Sequence, residues 1–202
     1  MKYAVVSVLI TVLVMAIPAV TGGCGESTQE TVLPTATGSP EQPGEAWQAD
    51  GILGDNEYLG EMTYGNFEVR WRTDEANIYF GIRAKTEGWL SIGLNPSSQM
   101  KDADMIFGAV SNGQAAISDQ FSTGAFGPHS PDIELGGSDD IIQSGGREDG
   151  GFTTIEFSRA LDTGDNYDNV LTKGKIKIIW AYGSSDDFDR KHASRGSGEI
   201  TL

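Results

Sequence analysis

From about residue 67 onward, apolar and polar positions alternate with a period of two. Phe67, Val69 and Trp71 are interleaved with Glu68, Arg70 and Arg72. After a turn over residues 73–77, Ile78, Phe80, Ile82 and Ala84 are interleaved with Tyr79, Gly81, Arg83 and Lys85. Leu90, Ile92 and Leu94 share a third run with Ser91 and Gly93, and residues 104–110 (DMIFGAV) form an almost continuous apolar stretch. Ala115 and Ile117 mark a run ending at Ser118-Asp119, and Thr153, Ile155 and Phe157 share one face of another. Ile176, Ile178 and Trp180 alternate with Lys175, Lys177 and Ile179, and Glu199–Leu202 reads as a closing strand. Period-two alternation is the pattern of half-buried strands, and no comparable 3.6-residue period is present. Turns are expected at Gly136-Gly137, Gly145-Gly146, Gly150-Gly151 and Gly183. Short strands separated by glycine turns predict an all-β protein, an immunoglobulin-like antiparallel β-sandwich with its binding loops at the ends.

The first 46 residues follow a different pattern. Lys2 precedes an uncharged apolar run to Val20, followed by Thr21-Gly22-Gly23-Cys24. A basic start, an apolar centre and small residues before a cleavage point describe a secretory signal over residues 1–23. Cys24 is the only cysteine, so no internal disulfide can form. Its position after two glycines suits lipid attachment at a new N-terminus; retention of residues 4–20 as a membrane helix, or plain secretion, are the other readings. All three place the rest of the chain outside the cytoplasm, on the lipid reading at the outer face of the cell membrane. Residues 24–46, rich in Thr, Ser, Pro, Glu and Gly, offer almost nothing to bury and read as a tether. The folded domain is then residues 47–202, a length that suits one domain.

A formal charge of −15 argues against nucleic-acid binding, which needs a basic footprint. There is no G-x-S-x-G elbow, no H-E-x-x-H and no cysteine pair, so neither nucleophilic catalysis nor a zinc site has a basis in the sequence, and the chain reads as no enzyme. Asp162–Asp168 resembles a calcium loop only superficially, lacking its order of ligands and closing Glu, and reads as a turn. Asp104 and Asp119, flanking one hairpin, are the pair best placed to hold a hard cation such as Ca2+.

Two further residues carry candidate chemistry. Met100 follows the loop Asn95-Pro96-Ser97-Ser98-Gln99 and is flanked by Gln99, Lys101 and Asp102. A thioether in so polar a run either caps the core from above or is aimed at a cofactor. His192 lies in a polar segment before the closing strand, where a solvated loop residue is the plain reading.

Several pieces recur together in a known order. They are Trp47 with Asp50-Gly51 and Glu57-Tyr58; Val69-x-Trp71; Gly88-Trp89-x-x-x-Gly93; and Met100-x-x-Ala103-Asp104. Ser118-Asp119-Gln120-Phe121, the run Phe157–Asp168, Trp180-Ala181-x-Gly183, and His192 before Arg195-Gly196 complete them. In that order they resemble a DOMON domain, the β-sandwich named for the N-terminal region of dopamine β-monooxygenase and also found in extracellular cytochromes. The haem-binding branch of that family implies b-type haem held by a Met after the Gly-Trp strand and a His near the last strand, which by position are Met100 and His192. With haem so held, Trp71, Trp89, Phe107 and Trp180 are candidates for packing the macrocycle, ordinary core being their other reading; Arg195 and Lys191 are candidates for its propionates, with surface solvation the plainer reading of Lys191. Without C-x-x-C-H the haem would be non-covalent. The implied function is extracytoplasmic electron transfer to a redox partner protein or membrane electron carrier, at a membrane surface reached through the lipid anchor. The competing readings are a haem-free module for a sugar or other small ligand, and an interaction domain stabilised by a cation at Asp104 and Asp119.

Overall fold

The computed structural model describes residues 47–202; the expected signal, Cys24 and the tether lie outside them. Among the described residues, eleven strands and one short helix follow in chain order. They are β1 (Gly60–Tyr64), β2 (Phe67–Thr73), β3 (Asn77–Ala84), β4 (Leu90–Leu94), β5 (Asp104–Ser111), β6 (Gln114–Ser122), β7 (His129–Pro131), α1 (Asp132–Leu135), β8 (Ile141–Asp149), β9 (Phe152–Ala160), β10 (Lys175–Tyr182) and β11 (Ser194–Thr201). They form a five-stranded sheet, β1-β2-β3-β9-β8, and a six-stranded sheet, β11-β10-β4-β5-β6-β7. Every pairing is antiparallel.

The alternation read from the sequence sets the inner faces. Phe67, Val69, Trp71, Ile78, Phe80 and Ile82 from one sheet meet Leu90, Ile92, Leu94, Ile106 and Ile178 from the other in one core. Phe80 and Phe157, opposed across β3 and β9, lie 5.4 Å apart and are wholly buried. Burial of such side chains is worth about 1.5–3 kcal/mol each. The expected all-β sandwich is the fold found. Among the described residues, no helix is long and apolar enough to cross a membrane.

Three local expectations change. Gly145-Gly146 is no turn but the middle of β8. A Cβ at Gly145 would collide with the Ala49 backbone, and one at Gly146 would meet Ile155 at 2.7 Å. These glycines admit the close approach of a neighbouring segment rather than a reversal of the chain. The closing strand begins at Ser194, not Glu199, because β11 pairs with β10 along its whole length. Strands β1, β7 and β8 lacked clear alternation: β1 and β8 are sheet edges with mostly exposed side chains, and β7 has three residues.

Candidate functional site

Strands β4 and β5 are buried on both faces. Their inner residues belong to the core, whereas Trp89, Met105, Phe107 and Ala109 form a second apolar cluster with Ile179, Ala181, Phe188 and Met100. That cluster lines a cavity of about 610 Å³ on the outer face of the six-stranded sheet. Loops around residues 99–100, 125–128 and 188–192 rise around it. Trp89 and Phe107 lie 5.2 Å apart on its floor, and Phe188 closes on Phe107 at 5.6 Å.

Met100 and His192 both line this cavity. Met100 sits in a tight reversal: Lys101 N donates to Ser98 O at 2.9 Å, and Ser97 N donates to Lys101 O at 2.8 Å. Asn95, Gln99 and Asp102 all have positive φ, at 46°, 54° and 59°. Non-glycine residues hold that conformation only when their surroundings impose it. Here Ser97 Oγ donates to Asp102 Oδ2 at 2.5 Å, and Met100 N donates to Ala125 O at 3.3 Å. The thioether is therefore carried on a pinned loop.

His192 lies on the opposite connection, between β10 and β11. Ala193 N donates to Tyr182 O at 2.8 Å, and Trp89 N donates to Ser185 O at 3.0 Å, tying both ends of that loop to the strands. Burial, reinforced by Arg195 and Lys191, pushes the His192 imidazole below its usual pKa, towards the neutral form that ligates metals.

The other expected packing residues separate. Trp89 and Phe107 are on the cavity floor. Trp180 borders the cavity, but its ring stacks on Phe67 at 5.1 Å inside the core. Trp71 is not among the cavity residues; it faces the core between the sheets and donates from Nε1 to Thr201 O at 2.9 Å. Its place on the inward side of the β2 alternation is the physical reason. Arg195 and Lys191 stand at the rim.

His129 is a cavity residue that the sequence did not single out. Its ring stacks on Phe107 at 4.7 Å, and Nδ1 lies 2.6 Å from Gln120 Oε1. Burial lowers its pKa, with Asp189 opposing. Three orphaned polar atoms also belong to cavity residues: Trp89 Nε1, Ser91 Oγ and Trp180 Nε1 are buried without partners.

Asp104 and Asp119 lie elsewhere, on the inner face at one end of the sandwich, in a diagonal relation set by the β5–β6 register. Asp104 Oδ2 accepts from Arg159 Nη2 at 2.5 Å and from Asn169 N at 3.1 Å. Asp119 Oδ2 accepts from Asp140 N at 3.1 Å. Burial outweighs the attraction of Arg159 and pushes Asp104 up to about 8; burial also raises Asp119 to about 7. Asp168, which the sequence reading left in a turn, joins them: one carboxylate oxygen from each of the three lies within 4.8 Å of the others.

The family model for the DOMON domain matches residues 63–183, a span that contains Met100 and ends before His192. DBH-like monooxygenase protein 1 from Mus musculus is 29% identical over 122 residues, covering 60% of this chain and 19% of its own length. Putative DBH-like monooxygenase protein 2 from Homo sapiens is 31% identical over 121 residues, covering 58% and 23%. The chain thus spans about a fifth of the length of these relatives. Among solved structures, the cytochrome b domain of pyranose dehydrogenase from Coprinopsis cinerea aligns with a TM-score of 0.49 at 16% identity, over 67% of this chain and 75% of that one. The cytochrome domain of Myriococcum thermophilum cellobiose dehydrogenase gives 0.49 at 11% identity, over 71% and 81%. With the family model covering residues 63–183, more than half of the sequence, the chain belongs to the DOMON domain family.

Proposed function

We propose that this domain binds b-type haem in the outer cavity, with Met100 and His192 as axial ligands, and serves as an extracytoplasmic electron carrier. One observation carries the reading: two residues on separate loops, whose types suit the two faces of a haem iron, line one apolar cavity. The cavity's volume of about 610 Å³ lies within the ~300–1,000 Å³ of ordinary cofactor pockets. Its floor of Trp89, Met105 and Phe107 suits a flat aromatic ring. Gly93 and Gly196 keep its walls low, since a Cβ on Gly93 would meet Ile179 at 2.7 Å.

Bound there, the haem would take up and release one electron at a time, Met/His ligation raising its reduction potential. The chain's residues do the rest. The pinned 97–102 loop fixes the thioether, Phe107 and Trp89 exclude water, and Arg195 at the rim offers a partner for a propionate. Met100 and His192 together would hold the iron from the chain itself and would leave dioxygen no place to bind it. The strongly acidic chain favours a redox partner with a basic docking surface. Its proposed place is the outer face of a membrane, tethered through Cys24.

The test is a haem titration of the full-length chain followed by tryptophan fluorescence. Saturable quenching at one haem per chain supports the reading, because Trp89 lies on the cavity floor. A chain that binds no haem removes it. The unpartnered Trp89 Nε1 and Ser91 Oγ favour the second reading, a haem-free cavity that hydrogen-bonds a sugar or other small ligand.

A further inference from the structure

We propose that the inner end of the sandwich is a calcium site built from Asp104, Asp119, Asp168 and Asp132. The sequence pointed to a pair; the structure brings Asp168 to it, and Asp132 stands near enough for the charges of Asp119, Asp168 and Asp104 to act on its carboxyl. Asp104 opens β5, Asp119 lies in β6, Asp132 opens α1 and Asp168 belongs to the β9–β10 connection. The site shares no residue with the outer cavity and stands whether or not that cavity takes haem.

Three observations converge. The nearest oxygens of Asp104, Asp119 and Asp168 lie within 4.8 Å of one another. Oxygens bound to one calcium at ~2.3–2.6 Å fall within about 5 Å of each other, so the spacing is that of a shared ion. The second observation is the orphaned oxygens. Asp132 is 1% exposed, yet neither of its carboxylate oxygens has a hydrogen-bond partner. Both oxygens of Asp168, and Oδ1 of Asp104 and of Asp119, are also buried without hydrogen-bond partners.

The third is charge. Arg159, fully buried, is paired with Asp104 at 2.5 Å and stands 3.8 Å from Asp168. With all four carboxylates ionised, one guanidinium would leave three negative charges inside the fold. Buried carboxylates at such density ionise only when a cation or a network of donors compensates them. The backbone donors here reach only two of these oxygens, Asn169 N one of Asp104 and Asp140 N one of Asp119. A hard divalent cation with oxygen preference and flexible geometry fits the remainder, and calcium suits it better than magnesium, which demands a tight octahedron and retains water. The ion would clamp the β9–β10 connection and α1 onto β5 and β6.

The experiment uses the full-length chain freed of metal by a chelator, with titration calorimetry and thermal unfolding in CaCl2 or MgCl2. Calcium should bind at one ion per chain and raise the melting temperature by about 5–10 °C at a hundredfold excess over its dissociation constant. Magnesium should have a clearly smaller effect at equal concentration. Asp132→Asn and Asp168→Asn should each stay folded without calcium and weaken its binding roughly tenfold or more, about 1.4 kcal/mol. If one of them does not fold, the other decides. Absence of both heat and thermal shift up to about 1 mM calcium, the weak end of protein calcium sites, overturns the proposal. So does an equal response to magnesium, or unchanged calcium affinity in the folded variants.

Discussion

At the residue scale, the buried acids behave according to their partners. Glu156 is wholly buried, accepting from Asp50 N at 2.9 Å, Gly51 N at 2.6 Å and Tyr58 Oη at 2.5 Å. Burial pushes it up to about 7, against the lowering effect of those donors. A carboxyl raised in the folded state holds its proton more tightly there than in the unfolded chain. Its contribution to stability is therefore full below about pH 4.5 and lost as pH rises through 7, worth up to about 3 kcal/mol. Glu156→Gln keeps the shape and removes the titration. Urea unfolding from pH 4.5 to 8 should show stability falling more steeply in the wild type than in the variant. Parallel curves would assign the pH dependence to other groups.

The same scale separates readable residues from unreadable ones. Met100 stood out because a thioether in a polar loop has few reasons to be there. His129 did not, since nothing next to it announces Phe107 and Gln120, which reach it across the sheet. Asp132 was equally silent, and Asp168 drew notice only within a run that reads as a turn; the folded chain alone brings them to Asp104.

At the element scale, alternation was sufficient wherever one face of a strand is buried and the other wet. This held for β2, β3 and the first half of β10. It failed at edges and at glycine pairs, where backbone pairing, not side-chain burial, makes the strand. Gly145 shows the difference: Gly145→Val should cost about 1–3 kcal/mol, the range for overpacking, by displacing the Ala49 segment from β8. The same substitution at Gly150, where a Cβ meets nothing within 4 Å, tests positive φ alone. Chemical denaturation of both variants distinguishes close approach from turn geometry as the reason for glycine.

The outer cavity was also partly legible. Residues 105–110 are apolar on both faces, and Ile179 and Ala181 break the polar side of the β10 alternation. In a two-layer sandwich a strand buried twice needs a second cover, here the loops bearing Met100 and His192. The loops' geometry was not legible, because it depends on long-range bonds such as Met100 N to Ala125 O.

For the whole molecule, charge and address matter more than any contact. A net charge of −15 on the whole chain makes copies of it repel one another and would speed its encounter with a basic partner, at rates that fall as salt rises. The lipid reading places all of this at a membrane surface. Cys24→Ala should move the protein from the membrane fraction to the soluble extracytoplasmic fraction on cell fractionation. Full retention in the membrane would favour an uncleaved apolar helix over residues 4–20 instead.

The most direct measurement of the central claim is the absorption spectrum of the haem-loaded protein, oxidised and reduced, in wild type, Met100→Ala and His192→Ala. Two protein ligands make a six-coordinate, low-spin iron with sharp bands on reduction. Each single variant should lose that signature by opening one axial position, while Trp71→Phe, placed in the core away from the cavity, should retain it. A wild-type chain that takes up no haem, or a spectrum unchanged by both ligand substitutions, would contradict the account.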